Sequence, residues 1–482
     1  MHRPRFCLII ALAIAPLLAP AVSAEERVAA NPAELADVVK AARPGDAIVM
    51  ADGQWKDADI LFEGHGTADR PITLRAKTPG QVALCGQSRL RIFGSYLVAD
   101  GLCFKDGYRE RGDVVEFRGG PGKLSDHCRL TQCAITSFNP PDRKKDYKWV
   151  SLYGAHNRVD HCFFKGMDHT GTLLVVWLSD QVNEHLIDHN YFGERPRLGW
   201  NGGEIIRVGT SEWSMHTSRT IVEDNYFERC NGEIEIISSK SCENVYRYNT
   251  FVECEGTLTL RHGNRCTVES NYFLGHHKKN TGGVRVIGED HKVFNNYFAD
   301  LGGTNARAAL CLMNGIPNSP LSGYFQVRNA VVAFNAFVGC EENIVIGQPG
   351  RDATIPPENP VVANNIVVGS KAPLVRFATA LTHLTWAGNI MFGAEVGVPA
   401  AQGIKIVDPK LALASDRLMR PNAESPVVGA AEGEYPFVKD DGDGQPRGAR
   451  KDVGCDQVSS APVLRRPLTP ADVGPEWMRA AK

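Results

Sequence analysis

A short phrase built on Asn-x-Phe recurs along the middle of the chain. It reads D-H-N-Y-F at Asn190, E-D-N-Y-F at Asn225, R-Y-N-T-F at Asn249, E-S-N-Y-F at Asn271, F-N-N-Y-F at Asn296 and A-F-N-A-F at Asn335, with weaker copies at Asn365 and Asn389. Successive copies are spaced by 35, 24, 22, 25, 39, 30 and 24, a base period near 24 with insertions. A repeat of this length means a solenoid, a propeller or an array. Each copy is a short β-rich phrase punctuated by Gly and Asn with little helical periodicity. That predicts an all-β chain, a single-domain right-handed parallel β-helix, with the insertions as loops on its corners. Upstream, Cys103, Cys133 and Cys162 stand in the Asn slot of G-L-C-F, T-Q-C-A-I and D-H-C-F-F.

Cysteine spacing repeats the same ruler. Cys230, Cys242, Cys254 and Cys266 are 12 apart, so the spacing predicts that Cys230 stacks on Cys254, and Cys242 on Cys266, one coil away. Stacked residues on neighbouring coils lie roughly 4.8 Å apart. Buried free thiols are the favoured reading, since Cys is among the most buried residue types and no Cys-x-x-Cys pair occurs. Disulfides and a metal site are the alternatives in an exported chain.

The 482 residues begin with His2, Arg3 and Arg5, an apolar run from Phe6 to Val22, and the small-residue end Val22-Ser23-Ala24. This is the pattern of a secretory signal peptide cut after Ala24. It implies a secreted or periplasmic protein, with no membrane association once the leader is gone. Losing Arg3 and Arg5 takes the formal charge from −2 to −4, which neither demands nor excludes a polyanionic ligand. Residues 25–455 are read as the β-helix domain. At its start, N-P-A-E-L-A-D-V-V-K-A-A from Asn31 has an Asn cap, Pro at the first helical position and apolar spacing at Leu35, Val38 and Val39, the marks of a short N-terminal capping helix. Residues 456–482 are Pro-rich and unpatterned, a tail along the outside. The D-D-G-D-G run from Asp440 lacks the closing Glu of a calcium loop and reads as a structural turn.

Chemistry concentrates between Asn231 and Arg261. In N-G-E-I-E-I-I-S-S-K, Glu233 and Glu235 alternate with Ile234 and Ile236; in T-L-T-L-R-H-G, Thr257, Thr259 and Arg261 alternate with Leu258 and Leu260. Both patterns predict strands with polar groups on one face. The period places Glu235 and Arg261 on adjacent coils nearly in register, with Lys240 at the corner past its strand. Asn201, in W-N-G-G-E, falls on the preceding coil. Asn201, Glu233 and Glu235 then offer three oxygen donors to one hard cation, which suits calcium and not zinc; a solvated polar face is the plain alternative.

Such a site suits proton abstraction beside a carboxylate. The C5 hydrogen of a uronic acid is only weakly acidic because the neighbouring carboxylate resists further charge, and a divalent cation offsets it. Lys240 could take the proton if neutral, its pKa lowered from about 10.4 by nearby positive charge. Arg261 could neutralise charge growing on the leaving oxygen at C4. The result would be β-elimination of a glycosidic bond.

The chain resembles polysaccharide lyase family six, the chondroitinase B and alginate lyase group. The resemblance rests on A-R-P-G-D-A-I-V-M-A-D-G-Q-W from Ala42, R-P-I-T-L-R-A from Arg70, G-S-Y-L-V-A-D-G-L-C-F from Gly94, N-G-G-E-I-I-R-V-G from Asn201, N-G-E-I-E-I-I-S-S-K-S from Asn231, T-L-R-H-G-N from Thr259 and G-G-V-R-V-I-G from Gly282. It implies calcium (Ca2+) held by Asn201, Glu233 and Glu235, Lys240 as base, Arg261 as acid, and His262 and Arg285 as substrate contacts near the cleaved bond. It also implies an anionic polysaccharide partner and no nucleic acid; the family includes both alginate and dermatan sulfate lyases, and without a clear sulfate-binding basic cluster alginate is the favoured substrate. Oligomeric state, a monomer included, and disulfide connectivity stay open. Arg219, Arg247, Arg285 and Arg307 could line a polyanion groove, though each alone reads as an ordinary surface arginine. Two other classes compete. An inverting glycoside hydrolase needs carboxylates on opposite sides of a sugar, which positions i and i+2 of one strand do not provide. A β-helix adhesin would bind a polysaccharide without cutting it.

Overall fold

The computed structural model describes residues 24–381, 383–399 and 402–479, so the expected leader, Ala24 apart, lies outside the described residues. Its strands form three long sheets of 14, 15 and 14 members. One turn of chain gives one strand to each: Ile221–Glu223, Tyr226–Cys230 and Glu235–Lys240, then Val245–Arg247, Thr250–Val252 and Thr257–His262 on the next coil, paired parallel in the same order. This is a three-sided parallel β-helix.

The repeated phrase builds the interior. Phe164, Phe192, Phe227, Phe251, Phe273, Phe298 and Phe337 stack with ring centroids 4.5–5.3 Å apart. Beside them the asparagines form a ladder in which each side-chain amide, from Asn190 to Asn365, donates to the Oδ1 of the next at 2.9–3.0 Å, ending on Asn389. The reason for Asn is the bend. The residue before each rung from Asn190 to Asn365, Asp224, Tyr248, Ser270, Asn295 and Phe334 among them, has φ between +52° and +59°. That left-handed conformation costs roughly 1–2 kcal/mol in a non-Gly residue. The buried amide offsets it by satisfying carbonyls that the turn removes from the sheets; Asn271 Nδ2, for example, also donates to Tyr246 and Glu269 at 2.9 and 3.0 Å.

Two register expectations need correction. Cys133 and Cys162 occupy the rung, and Cys162 N–H donates to Asn190 Oδ1 at 2.9 Å, but Cys103 pairs with Ala134, one residue out of step, so Leu102 fills the slot. Cys230 does stack on Cys254, whose Sγ accepts the Cys230 N–H at 3.4 Å. Cys242 does not meet Cys266, because this coil is shorter than the base period, Val245 pairing with Thr267. All twelve described cysteines are buried and free.

Helix α1 (Pro32–Ala41) closes the first coil. Asn31 Oδ1 accepts from the Ala33 and Glu34 N–H groups at 3.1 and 3.0 Å, and Leu35 and Val39 are buried against the core. After the last coil the chain runs back along the outside. Asp441 Oδ1 accepts from Asp443 and Gln445 N–H, making D-D-G-D-G the structural turn expected, and Tyr272 donates to Asp443. The tail then reaches Thr250 through Leu468 N–H and Gln132 through the Trp477 indole.

Candidate active site

Four adjacent strands of the 15-stranded sheet form the site floor: β1 (Ile206–Val208), β2 (Glu235–Lys240), β3 (Thr257–His262) and β4 (Val284–Val286). Arg207, Ser238, Thr259 and Arg285 share one row on the outer face. Inward, Ile206, Ile237, Leu258 and Val284 are fully buried, so the outer row is fixed by the core packing of its neighbours.

β2 and β3 slip past each other twice, and the slips arrange the chemistry. The first lies between Glu235 and Ile237, with Glu235 opposite Thr257 and Ile237 opposite Leu258. Ile236 is the extra residue, and both it and Ile237 are buried. The simple alternation expected through Glu233–Ile236 therefore fails: Glu233 and Ile234 precede the strand and are half-buried. The second slip sets Ser239 opposite Leu260 and Lys240 opposite His262, leaving Arg261 unpaired between Leu260 and His262. A bulge re-aims side chains in this way, and here Arg261 and His262, consecutive in sequence, both reach the site. Two expectations change accordingly. Lys240 ends β2 instead of lying past it, and Glu235 is in register with Thr257, not Arg261, whose side chain reaches back to put Nε 3.6 Å from Glu235 Oε1.

At the lower end of β2, three carboxylates converge. One oxygen each from Glu204, Glu233 and Glu235 lies within 4.8 Å of the others. Glu204 is buried and accepts from Thr172 Oγ1 at 3.0 Å. Burial, then the charges of Glu204 and Glu235, push the Glu233 carboxyl up to about 8, and its Oε1 is buried without a hydrogen bond. Burial also opposes charge on Glu235, but Arg285, Lys240, the Ser238 hydroxyl and Arg261 together hold its carboxyl below the usual range. The crowding of oxygen donors with one orphaned oxygen fits a hard, oxygen-seeking cation. Asn201 is exposed on the rim of a cavity of about 440 Å³ that Glu233 also lines.

The cradle depends on close backbone contact. A Cβ on Gly203 would stand 2.6 Å from the Gly232 carbonyl carbon, and one on Gly232 would stand 2.2 Å from Gly203 O, so N-G-G-E and N-G-E need glycine where their coils touch. Beneath them, Arg195 is fully buried and donates to the carbonyls of His169, Gly171 and Glu204 at 2.7–2.8 Å.

At the upper end, Arg261 is caged. It donates to His262 Nε2 at 2.6 Å, to Gly323 O at 2.9 Å and to Ser322 O at 3.2 Å, with its guanidinium 4.3 Å from the Tyr324 ring centre. Since the guanidinium keeps its protons, Nε2 must accept and the imidazole proton sits on Nδ1, which is buried and unpartnered. Burial, with Arg261 and Lys240 nearby, pushes His262 down to about 3, so the ring is neutral. Lys240 makes no hydrogen bond or ion pair among the described residues. Arg285, expected as a substrate contact, lies in the floor and donates to Glu235.

The structure thus gathers Glu233, Glu235, Lys240, Arg261, His262 and Arg285 along two strands and their neighbour, with Asn201 on the rim. Sequence reasoning missed three contributors. Glu204 was visible as the last letter of N-G-G-E, one coil before Glu233. Arg195 and the 322–324 loop carry no local signal, since one is a buried cation satisfied by carbonyls and the other meets Arg261 from a distant part of the chain.

The chondroitinase B family model matches residues 29–406. Among solved structures, the PL6 family alginate lyase AlyGC is 37% identical with a TM-score of 0.83; the alignment covers 94% of this chain and 58% of that one. The present chain therefore spans little more than half of AlyGC. A mannuronic acid specific family 6 lyase from human gut microbiota is 35% identical, TM-score 0.71, covering 80% of this chain and 91% of its own. Alginate lyase AlyF-OU02, solved in complex with G6, is 25% identical, TM-score 0.67, with coverages of 84% and 92%. No curated protein matches the chain. With a family model over most of its length and relatives at 37% and 35% identity, the chain belongs to polysaccharide lyase family 6, the chondroitinase B family.

Proposed function

We propose that this protein is an exported, calcium-dependent lyase that cleaves alginate by β-elimination, Lys240 acting as base and Arg261 as acid. The observation that carries the reading is the second slip of β2 against β3. It sets Lys240, whose amine is unpartnered, opposite His262, with Arg261 the extra residue just before His262 and Glu235 at the other end of the Lys240 strand. The alginate specificity of the relatives supports the substrate.

A uronate lying along β2 would present its carboxylate to the acidic end and its C5 hydrogen to Lys240. The amine takes that proton, the C4–oxygen bond breaks, and a C4=C5 double bond forms in the residue left behind. Arg261, held by Ser322 and Gly323 carbonyls and by His262, meets the negative charge on the departing oxygen and, as acid, relays to it a proton drawn from solvent, so that the guanidinium is protonated again at the end of the step. His262, neutral, aims Arg261 by accepting from it at Nε2. Calcium held by Glu233, Glu235 and Asn201, with Glu204 in reach, would supply positive charge against the substrate carboxylate as charge develops at C5.

The test is ultraviolet absorbance of unsaturated product on incubation with poly-mannuronate, poly-guluronate and dermatan sulfate, with and without chelator. Absorbance on either alginate block, lost with chelator and restored by calcium, is expected. Reducing ends without absorbance would mean hydrolysis; absorbance on dermatan sulfate alone would move the substrate to that polymer; no cleavage of any uronate polymer would leave a binding protein.

A further inference from the structure

Of the four arginines that the sequence offers for a polyanion groove, Arg307 has an environment unlike the other three. Arg219 pairs with Glu243 and Arg247 with Glu223 on other faces, and Arg285 holds Glu235. Arg307 ends a short 3-10 turn, Asn305–Arg307, and its side chain lines the 440 Å³ cavity beside Glu233. Its Nε is buried without a hydrogen bond, and no hydrogen bond or ion pair engages its guanidinium among the described residues. Burial, and the like charges of Arg285 and Arg197, work against its protonated form, with Glu255 pulling the other way. Glu255 is already committed to Arg197 at 2.6 Å. A half-buried guanidinium left without an anion is costly unless something supplies one.

The same cavity has an aromatic lining residue. Trp200 is 41% exposed, yet its indole is fixed: Nε1 donates to Thr170 Oγ1 at 2.8 Å and the Arg143 guanidinium lies 5.6 Å from the ring centre. Asn280 completes the cavity rim. A neighbouring cavity of about 650 Å³ shows the contrast, since its Lys165 and Arg229 both pair with Glu194 and leave neither cation free. A polyuronate carries a carboxylate on every sugar, so a groove that holds one at the reaction centre meets another on the next residue.

We propose, resting on the lyase reading above, that this pocket is a subsite for the uronate adjacent to the one undergoing elimination. Arg307 takes its carboxylate through its terminal N–H groups, and Trp200 lies against a face of its ring. The pocket borders the proposed calcium cradle through Glu233 and Asn201, but Lys240 and Arg261 are not among its lining residues, so Arg307 and Trp200 contribute uniform binding and act on KM more than kcat.

Steady-state kinetics of Arg307→Gln, Arg307→Lys and Trp200→Ala on alginate oligomers test this. Arg307→Gln should raise KM roughly tenfold or more, the scale of one charge-assisted pair, with kcat within about twofold and an unchanged melting temperature. Arg307→Lys, which keeps charge but not the fork, should recover part of the loss. An unchanged KM, or a fall in kcat at constant KM, overturns the assignment. Binding is also read without turnover, as quenching of tryptophan fluorescence by mannuronate oligomers in a Lys240→Ala background. Quenching lost in both Trp200→Ala and Arg307→Gln supports the subsite even if no polymer is cleaved, and quenching retained in either rejects it even if alginate is cleaved. Dermatan sulfate oligomers that quench where mannuronate oligomers do not would replace the carboxylate with a sulfate ester and reject the proposal as stated.

Discussion

Replacing Arg285 by Met separates two roles that the residue could have. In the structure its side chain is 4% exposed and donates to Glu235, itself 11% exposed, whose Oε2 has only the neutral Ser238 hydroxyl and whose nearest other cation, Arg261 Nε, is 3.6 Å away. Arg285→Met leaves a buried carboxylate without its main partner, a loss of about 3–5 kcal/mol. For a chain of this length that is a fall of a few degrees in melting temperature, at ~1 °C per kcal/mol. The double variant Arg285→Met, Glu235→Gln should lose less than the sum of the single losses by about 2 kcal/mol. The sign with pH follows from Glu235, whose carboxyl is held below its ordinary 4.5. A depressed carboxyl contributes stability that is complete above the unfolded value and disappears as pH falls through the folded one. The gap between wild type and Arg285→Met, followed by urea denaturation, should therefore be full at neutral pH and close on acidification below about pH 4.5. A loss under ~1 kcal/mol, or a gap independent of pH, would refute the pair as a structural anchor. A rise in KM with stability intact would return Arg285 to direct substrate contact.

Three further outcomes follow from the same geometry. Lys240→Ala and Arg261→Ala should each lower turnover by about 10²–10⁴ with the far-ultraviolet spectrum unchanged; the melting curve should also be unchanged in Lys240→Ala, whose side chain is unpartnered, while Arg261→Ala loses its bonds to His262, Gly323 and Ser322 and should melt lower; near-wild-type rates in either would remove its assigned role. Glu204→Gln should raise the calcium concentration needed for half-maximal activity by roughly tenfold, as loss of one oxygen ligand does, while leaving the calcium-free protein as stable or more so, because it relieves the crowding that lifts Glu233; an unaltered calcium response would place Glu204 outside the cradle. Asn271→Ala should cost about 3 kcal/mol or more in urea denaturation, because it removes three donated bonds and strands the amide groups of Asn249 in the core; a loss below ~1 kcal/mol would show that water replaces the rung.

The fold was readable because a solenoid writes its period into the sequence. Asn and Phe recur wherever the same bend and the same core row recur, so the step from Asn225 to Asn249 is one coil, and most catalytic positions follow from counting coils. Counting fails where coils differ in length. The shortened coil from Val245 to Thr267 separates Cys242 from Cys266, and the unpaired Ile236 breaks the alternation that placed Glu233 in the strand. The short coil is written in the step of 22 from Asn249 to Asn271, but the extra Ile236 has no composition signal, because a bulge in an aliphatic run costs no hydrophobic residue.

Those same irregularities carry the proposed chemistry. Had β2 and β3 run in perfect register, strict alternation would have turned one of Arg261 and His262 inward against Leu260. The extra residue at Arg261 lets both face Lys240, so the imidazole can accept from the guanidinium and hold it against the loop at Ser322–Gly323. The regular part of the ladder supplies rigidity and the single slip supplies convergence. For this reason the residues that sequence periodicity placed least well, Lys240 and Arg261, are the ones on which the proposed reaction depends. Inserting or deleting one residue at that slip should cost activity far more than it costs the fold, whose Asn and Phe ladders lie on the other side of the coil.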